Sequence, residues 1–131
     1  MSRRKRAVIF GAGGAGRRTL DYYSHVYECV AFVDNDAVKL GTSIEGLTVY
    51  PVTTLAETGA DVVLVGSGSM GEITMQLTEM GVSLDRIGWV PEDVLTGRFE
   101  GMRRLRRRVG SMLVLMLAVG LAFVVYWRVG G

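Results

Sequence analysis

Ala7-Val8-Ile9-Phe10-Gly11-Ala12-Gly13-Gly14-Ala15-Gly16 is the stretch from which the rest of the chain can be read. Its first four residues are apolar without alternation, the mark of a short strand buried on both faces. A turn follows with Gly11, Gly13 and Gly16 at G-x-G-x-x-G spacing. Helix-compatible residues run on from Arg17 to about Val26. In this context each glycine has a task. Gly11 allows the sharp turn off the strand, Gly13 removes a Cβ from the path of a diphosphate, and Gly16 lets the helix pack close. The turn residues Ala12, Gly14 and Ala15 complete a cradle of backbone N–H groups at a helix N-terminus, where an anion is favoured.

Working outward, Val30-Ala31-Phe32-Val33 is a second buried run, and it ends on Asp34. That acid stands 18 positions past Gly16, close to the ~20-residue spacing at which a carboxylate reads a ribose 2′-hydroxyl. A carboxylate there repels a 2′-phosphate, which favours NAD(H) over NADP(H). The alternative is a glycine turn without a ligand, with Asp34 an ordinary residue of the Asp34-Asn35-Asp36 turn. Leu47 to Tyr50 reads as a third strand closed by Pro51, after a glycine-punctuated loop over 36–46. Thr54 and Glu57 match a capping box, which predicts a short helix to Thr58 with Gly59 ending it. Asp61 to Val65 is the fourth strand. It leads into a second glycine turn, Gly66-Ser67-Gly68-Ser69, and a helix to about Met80 whose apolar face is Ile73, Leu77 and Met80. Ile87 to Val90 is the fifth strand. The alternation predicts a doubly wound parallel sheet of about five strands, order 3-2-1-4-5. Both glycine turns then share one carboxyl edge, so Asn35, Gly66, Ser67 and Ser69 join the glycine cradle as candidate binding residues. Ser69 with Glu72 also matches a capping box, which accounts for this serine equally well.

The 131-residue chain has a net charge of +2 that hides a polarity. All 13 acids lie between Asp21 and Glu100, and within residues 7–100 the bases are only Arg17, Arg18, Lys39, Arg86 and Arg98. An acidic body of this kind does not suit nucleic acid. Arg17 and Arg18 are within reach of a ligand phosphate but suit a solvated helix face as well. Cys29 and His25 are each the only one of their type. No disulfide within the chain and no Cys/His metal site is expected. Cys29 reads as a small buried apolar residue, and His25 as a partner of helix-terminal carbonyls.

The ends differ from the body. Residues 1–6 form a basic arm, too closely followed by glycines and Arg17-Arg18 to serve as a secretory leader. Residues 7–100 form the nucleotide-binding domain and 101–108 a basic linker. Val109 to Trp127 holds 19 residues without charge. As a helix it extends roughly 28 Å, enough for the hydrocarbon core of a bilayer. Tyr126 and Trp127 suit an interfacial belt, and residues 128–131 form a short tail. Five arginines precede the span and only Arg128 follows it. This places the domain on the cytoplasmic side of a single-pass inner-membrane protein. Ala118 and Ala122 form a small-xxx-small pair, a weak dimer motif that leaves a homodimer as one partner state beside a partner protein.

Three phrases carry a resemblance: GAGGAGRRTLDYY over 11–23, AFVDND leading to KLGTSIEGLTVYP over 31–51, and DVVLVGSGSMGEITMQL over 61–77. The most specific part is the D-x-D turn followed by G-x-x-I-x-G-x-x-V. The chain resembles the Rossmann-like, CoA-binding-like domain at the front of membrane-bound nucleotide-sugar dehydratases and epimerases of polysaccharide biosynthesis. It is also similar to the N-terminal domain of sugar acetyltransferases of glycan assembly. The resemblance implies NAD(H) or a UDP-sugar as ligand, phosphates at Gly11, Gly13 and Gly16, and a glycan-biosynthesis protein as partner. Those enzymes continue into a catalytic domain with a Tyr-x-x-x-Lys pair. Here neither Lys5 nor Lys39 has a tyrosine four residues earlier. The expectation is therefore a binding module, accessory or sensory, with no catalytic residue assigned. Two alternatives stand beside it: an oxidoreductase or epimerase completed by a partner chain, and a nucleotide-sensing domain of a transport system.

Overall fold

A computed structural model describes residues 3–98. The chain runs through β1 (Arg6–Phe10), α1 (Gly14–Tyr23), β2 (Glu28–Asp34), β3 (Ser43–Ile44) and β4 (Leu47–Pro51). It continues through a 3-10 helix (Val52–Thr58), β5 (Val62–Val65), α2 (Met70–Glu79), a 3-10 turn (Leu84–Arg86), β6 (Ile87–Gly88) and α3 (Glu92–Thr96). Among the described residues no helix is long and apolar enough to cross a membrane. The linker over 101–108, the expected span over 109–127 and the tail lie outside the described residues.

The sheet has six strands in the order β3-β4-β2-β1-β5-β6. The five parallel strands stand as their apolar runs predict, with β1 at the centre between β2 and β5. The sixth strand was not expected. Within the segment read as loop, Ser43–Ile44 pairs antiparallel with Leu47–Thr48. Glu45 and Gly46 make the connection with φ +49° and +81°, the positive angles of a two-residue hairpin turn matched to strand twist.

Uninterrupted apolarity in β1 and β5 follows from burial on both faces. Ala7, Ile9, Val62 and Leu64 point to one side, where Leu20 of α1 and Val94 and Leu95 of α3 cover them. Val8, Phe10, Val63 and Val65 point to the other, under Ile73 and Leu77 of α2 and Leu55 of the 3-10 helix. Helices on both faces of a mostly parallel sheet, with β3 as its one antiparallel strand among the described residues, make the domain Rossmann-like.

Several boundaries differ from the sequence reading. Helix α1 begins at Gly14, three residues before Arg17, and ends at Tyr23. The glycine spacing lets the helix start inside the turn itself. Neither capping box forms. Ser69 precedes α2 without a side-chain cap bond, and Thr54 lies inside its 3-10 helix with its hydroxyl donating to the Pro51 carbonyl at 2.7 Å. Met80 is the C-cap residue of α2 and 43% exposed, so it leaves the expected apolar face. Strand β6 stops at Gly88, and α3 follows Pro91, which no periodic apolar pattern announces.

Candidate functional site

The site is built where the carboxyl ends of β1, β2 and β5 meet. Gly11 has φ +114°, a value that only glycine adopts without strain. Its N–H donates to Val33 O at 2.9 Å, tying the turn to β2. A Cβ on Gly11 would stand 2.6 Å from Gly66 O, and one on Gly16 would collide with the Gly11 carbonyl oxygen. A Cβ on Gly66 would lie 3.0 Å from the Cα of Gly16. The two glycine turns therefore pack backbone against backbone, which sequence spacing alone did not disclose. The front of the turn is different. A Cβ on Gly13 would meet only Lys39 Nζ, at 3.6 Å. Gly13 caps α1 with no side-chain hydrogen bond, and no acid stands in the first turn. The first-turn N–H groups have no partner within the helix. Bare amides, a positive dipole end and the Lys39 ammonium make a fit for a diphosphate.

Asp34 closes the site at the end of β2. Its Oδ2 accepts the Ala12 N–H at 2.8 Å and lies 3.8 Å from Lys39 Nζ, and its Oδ1 accepts the Asp36 N–H at 2.8 Å. The carboxylate thus pins the glycine turn to the following loop and is 14% exposed. Asn35 and Gln76 exchange two amide hydrogen bonds, 2.8 and 2.9 Å, between the end of β2 and α2. The hydroxyl of Ser67 accepts the Ser69 N–H at 3.2 Å. Gly11, Asp34, Asn35, Ser67 and Ser69 line one cavity of about 260 Å³, together with Phe10, Glu72, Ile73 and Gln76. Gly66 is buried and is not part of its lining. Ala12, Gly13, Gly14, Ala15 and Gly16 form the adjoining turn and helix start, outside the cavity wall. Such a cavity admits a sugar or a diphosphate, so a larger ligand has to extend along the open edge.

Sequence reasoning missed Lys39 and Gln76. Lys39 sits in the loop that joins β2 to the hairpin, and no spacing rule reaches it. Two other residues change role. Arg18 donates from Nε and Nη2 to the Leu95 carbonyl at 3.0 and 2.6 Å. It fastens the end of α3 to α1 and is spent on structure, while Arg17 is exposed. Cys29 is half-buried rather than buried; burial pushes its thiol pKa up, and nearby Arg4 offsets this in part. The ring of Tyr23 packs on Tyr22 and Tyr27, and burial, then those two neighbours, raise its hydroxyl pKa.

Known structures share this architecture. UDP-D-quinovosamine 4-dehydrogenase from Vibrio fischeri is 26% identical, with a TM-score of 0.57 over 73% of this chain and 87% of that one. RSP, a Rex-family repressor, is 18% identical, with a TM-score of 0.54 over 80% of this chain and 60% of that one. RSP in complex with β-NADH is 17% identical, with a TM-score of 0.52 over 84% and 64%. The chain thus spans less than two thirds of RSP, and that likeness concerns the fold. No curated protein matches the chain. Residues 3–88 match the family described as C2185-like, N-terminal, and on that extent the chain belongs to this family.

Proposed function

We propose that the protein is a membrane-anchored module that binds NAD(H) or a nucleotide-sugar and serves envelope polysaccharide metabolism as an accessory or sensory subunit. The observation that carries this is the packing of two bare glycine turns against each other, with Asp34 and an open helix N-terminus beside their shared cavity. The diphosphate lies on the amides from Gly13 to Gly16, since those of Gly11 and Ala12 already donate to Val33 O and Asp34 Oδ2, with Lys39 turning toward it. The second lone pairs of Asp34 accept a ribose hydroxyl. Ser67, Ser69 and Asn35 face the remaining sugar. The likeness to a UDP-sugar dehydrogenase supports a nucleotide-sugar as a ligand class. Anchoring rests on the uncharged stretch 109–127 and the arginines before it.

Equilibrium titration of the full chain in detergent micelles with NADH and with UDP-N-acetylglucosamine tests the reading. Saturable binding of either below the millimolar range is expected, and no binding at millimolar ligand overturns it. Reproducible turnover of a UDP-sugar by the purified chain would replace the binding module with an enzyme.

A further inference from the structure

The opposite, amino edge of the sheet holds a second cavity, of about 650 Å³. Arg6 opens β1 there, Asp61 precedes β5, and Arg86 precedes β6. Arg3, Arg4 and Lys5 reach it from the arm, and Gly59 and Ala60 complete the wall. Five cations thus face a single acid, and the Oδ2 of that acid, Asp61, already accepts the backbone N–H of Arg6 at 2.9 Å. Two of the cations are anchored. Arg86 donates to Ala60 O at 2.5 Å, and Arg4 donates to Ser24 O at 3.0 Å. Arg6 is not so settled. Its Nε is buried and has no hydrogen-bond partner among the described residues. A buried donor on a cation is costly without an acceptor. Gly59, at φ +64°, leaves space beside that guanidinium, since a Cβ there would stand 3.7 Å from Nη1.

We propose that this edge is a second binding site, for a phosphate-bearing anion held by Arg6 with Arg3, Lys5 and Arg86. A water molecule satisfies one N–H but leaves a wall of five cations to one acid among the described residues. A phosphate accepts from the guanidinium fork and neutralises its neighbours together. The cavity is within the size range of small-molecule pockets. The site is independent of the glycine cradle, which lies at the other end of the strands. The phosphate comes either from a soluble phosphorylated compound or from an anionic lipid headgroup.

Amide spectra of the isotope-labelled full chain in neutral detergent micelles test this. The probes are inorganic pyrophosphate and dihexanoyl phosphatidic acid. Shifts are expected at Asp61 and Arg86, with affinity at least tenfold weaker in Arg6→Gln. Arg3→Gln with Lys5→Gln removes two exposed charges, keeps the fold, and is expected to weaken binding severalfold. Tighter binding of the lipid assigns the headgroup as the source, and equal or tighter binding of pyrophosphate assigns the soluble anion. The site is overturned if neither probe moves these amides, or if the variants bind as the parent does. Shifts at Gly11 and Gly13 report the nucleotide cradle separately, so either reading can fail alone.

Discussion

A methyl group on Gly16 would meet the Gly11 carbonyl oxygen, and that peptide is held on both sides, because its own N–H, that of Ala12, donates to Asp34 Oδ2 at 2.8 Å and the Gly11 N–H before it donates to Val33 O. Gly16→Ala is therefore expected to destabilise the domain by about 1–3 kcal/mol, the usual range for overpacking. Gly68, with nothing within 4 Å of its would-be Cβ, is the control, and Gly68→Ala is expected to stay within about 0.5 kcal/mol. Urea midpoints compare the two. At Asp34 the carboxylate braces Ala12 and, in the proposed function, accepts a ribose hydroxyl. Asp34→Asn is expected to weaken NADH roughly tenfold and to narrow its preference over NADPH, read by fluorescence titration, because the charge that repels a 2′-phosphate is gone. Cys29 supplies a pH prediction. A raised thiol pKa keeps the group protonated at neutral pH, so iodoacetamide at pH 8 is expected to label it several times more slowly than free cysteine. The sign carries over to stability. Folded Cys29 and Tyr23 both hold their protons more tightly than the unfolded chain does. Their contribution is intact below the ordinary thiol range and is lost as pH rises through the folded values.

Helices and strands were legible where burial dictates composition. The apolar runs at Ala7, Val30 and Val62 announce central strands because both faces of each strand meet helices. Gly11 and Gly16 announced the turn because only they tolerate its geometry. Signals failed where a short element depends on a partner distant in sequence. Helix α3 is five residues long, too short for periodicity to appear, and is held by Arg18 from the other end of the domain. The capping motifs failed because a serine or threonine hydroxyl has several nearby backbone partners. At Thr54 the Pro51 carbonyl was taken. The candidate site at the carboxyl edge was half legible. Its glycines and Asp34 follow a spacing rule, whereas Lys39 and Gln76 arrive through the path of a loop and the rotation of a helix. Replacing Arg18 by alanine removes two charge-assisted bonds to Leu95 O. The expected cost is about 2 kcal/mol, seen as faster amide exchange confined to α3. Leu77, fully buried on the α2 face, is expected to cost about 2–5 kcal/mol as alanine.

The six-stranded sheet places its two proposed binding regions at opposite ends of the same strands. Ligand at the glycine turns and phosphate at the amino edge do not compete for space. If residues 109–127 hold the protein in the bilayer, carbonate washing is expected to leave the full chain in the membrane pellet, and protease added to inverted vesicles to digest the domain. Release into the wash would remove the anchor from the proposal. The margins of the sheet have a consequence wherever copies of the protein are concentrated. On one side it finishes in the two-residue β3, folded back by Glu45 and Gly46, and on the other in the two-residue β6, with Pro91 soon after. Among the described residues neither rim presents a long ladder of idle peptide groups onto which a neighbour might stitch itself. Molecules packed side by side can meet through their side chains without zipping into a continuous ribbon.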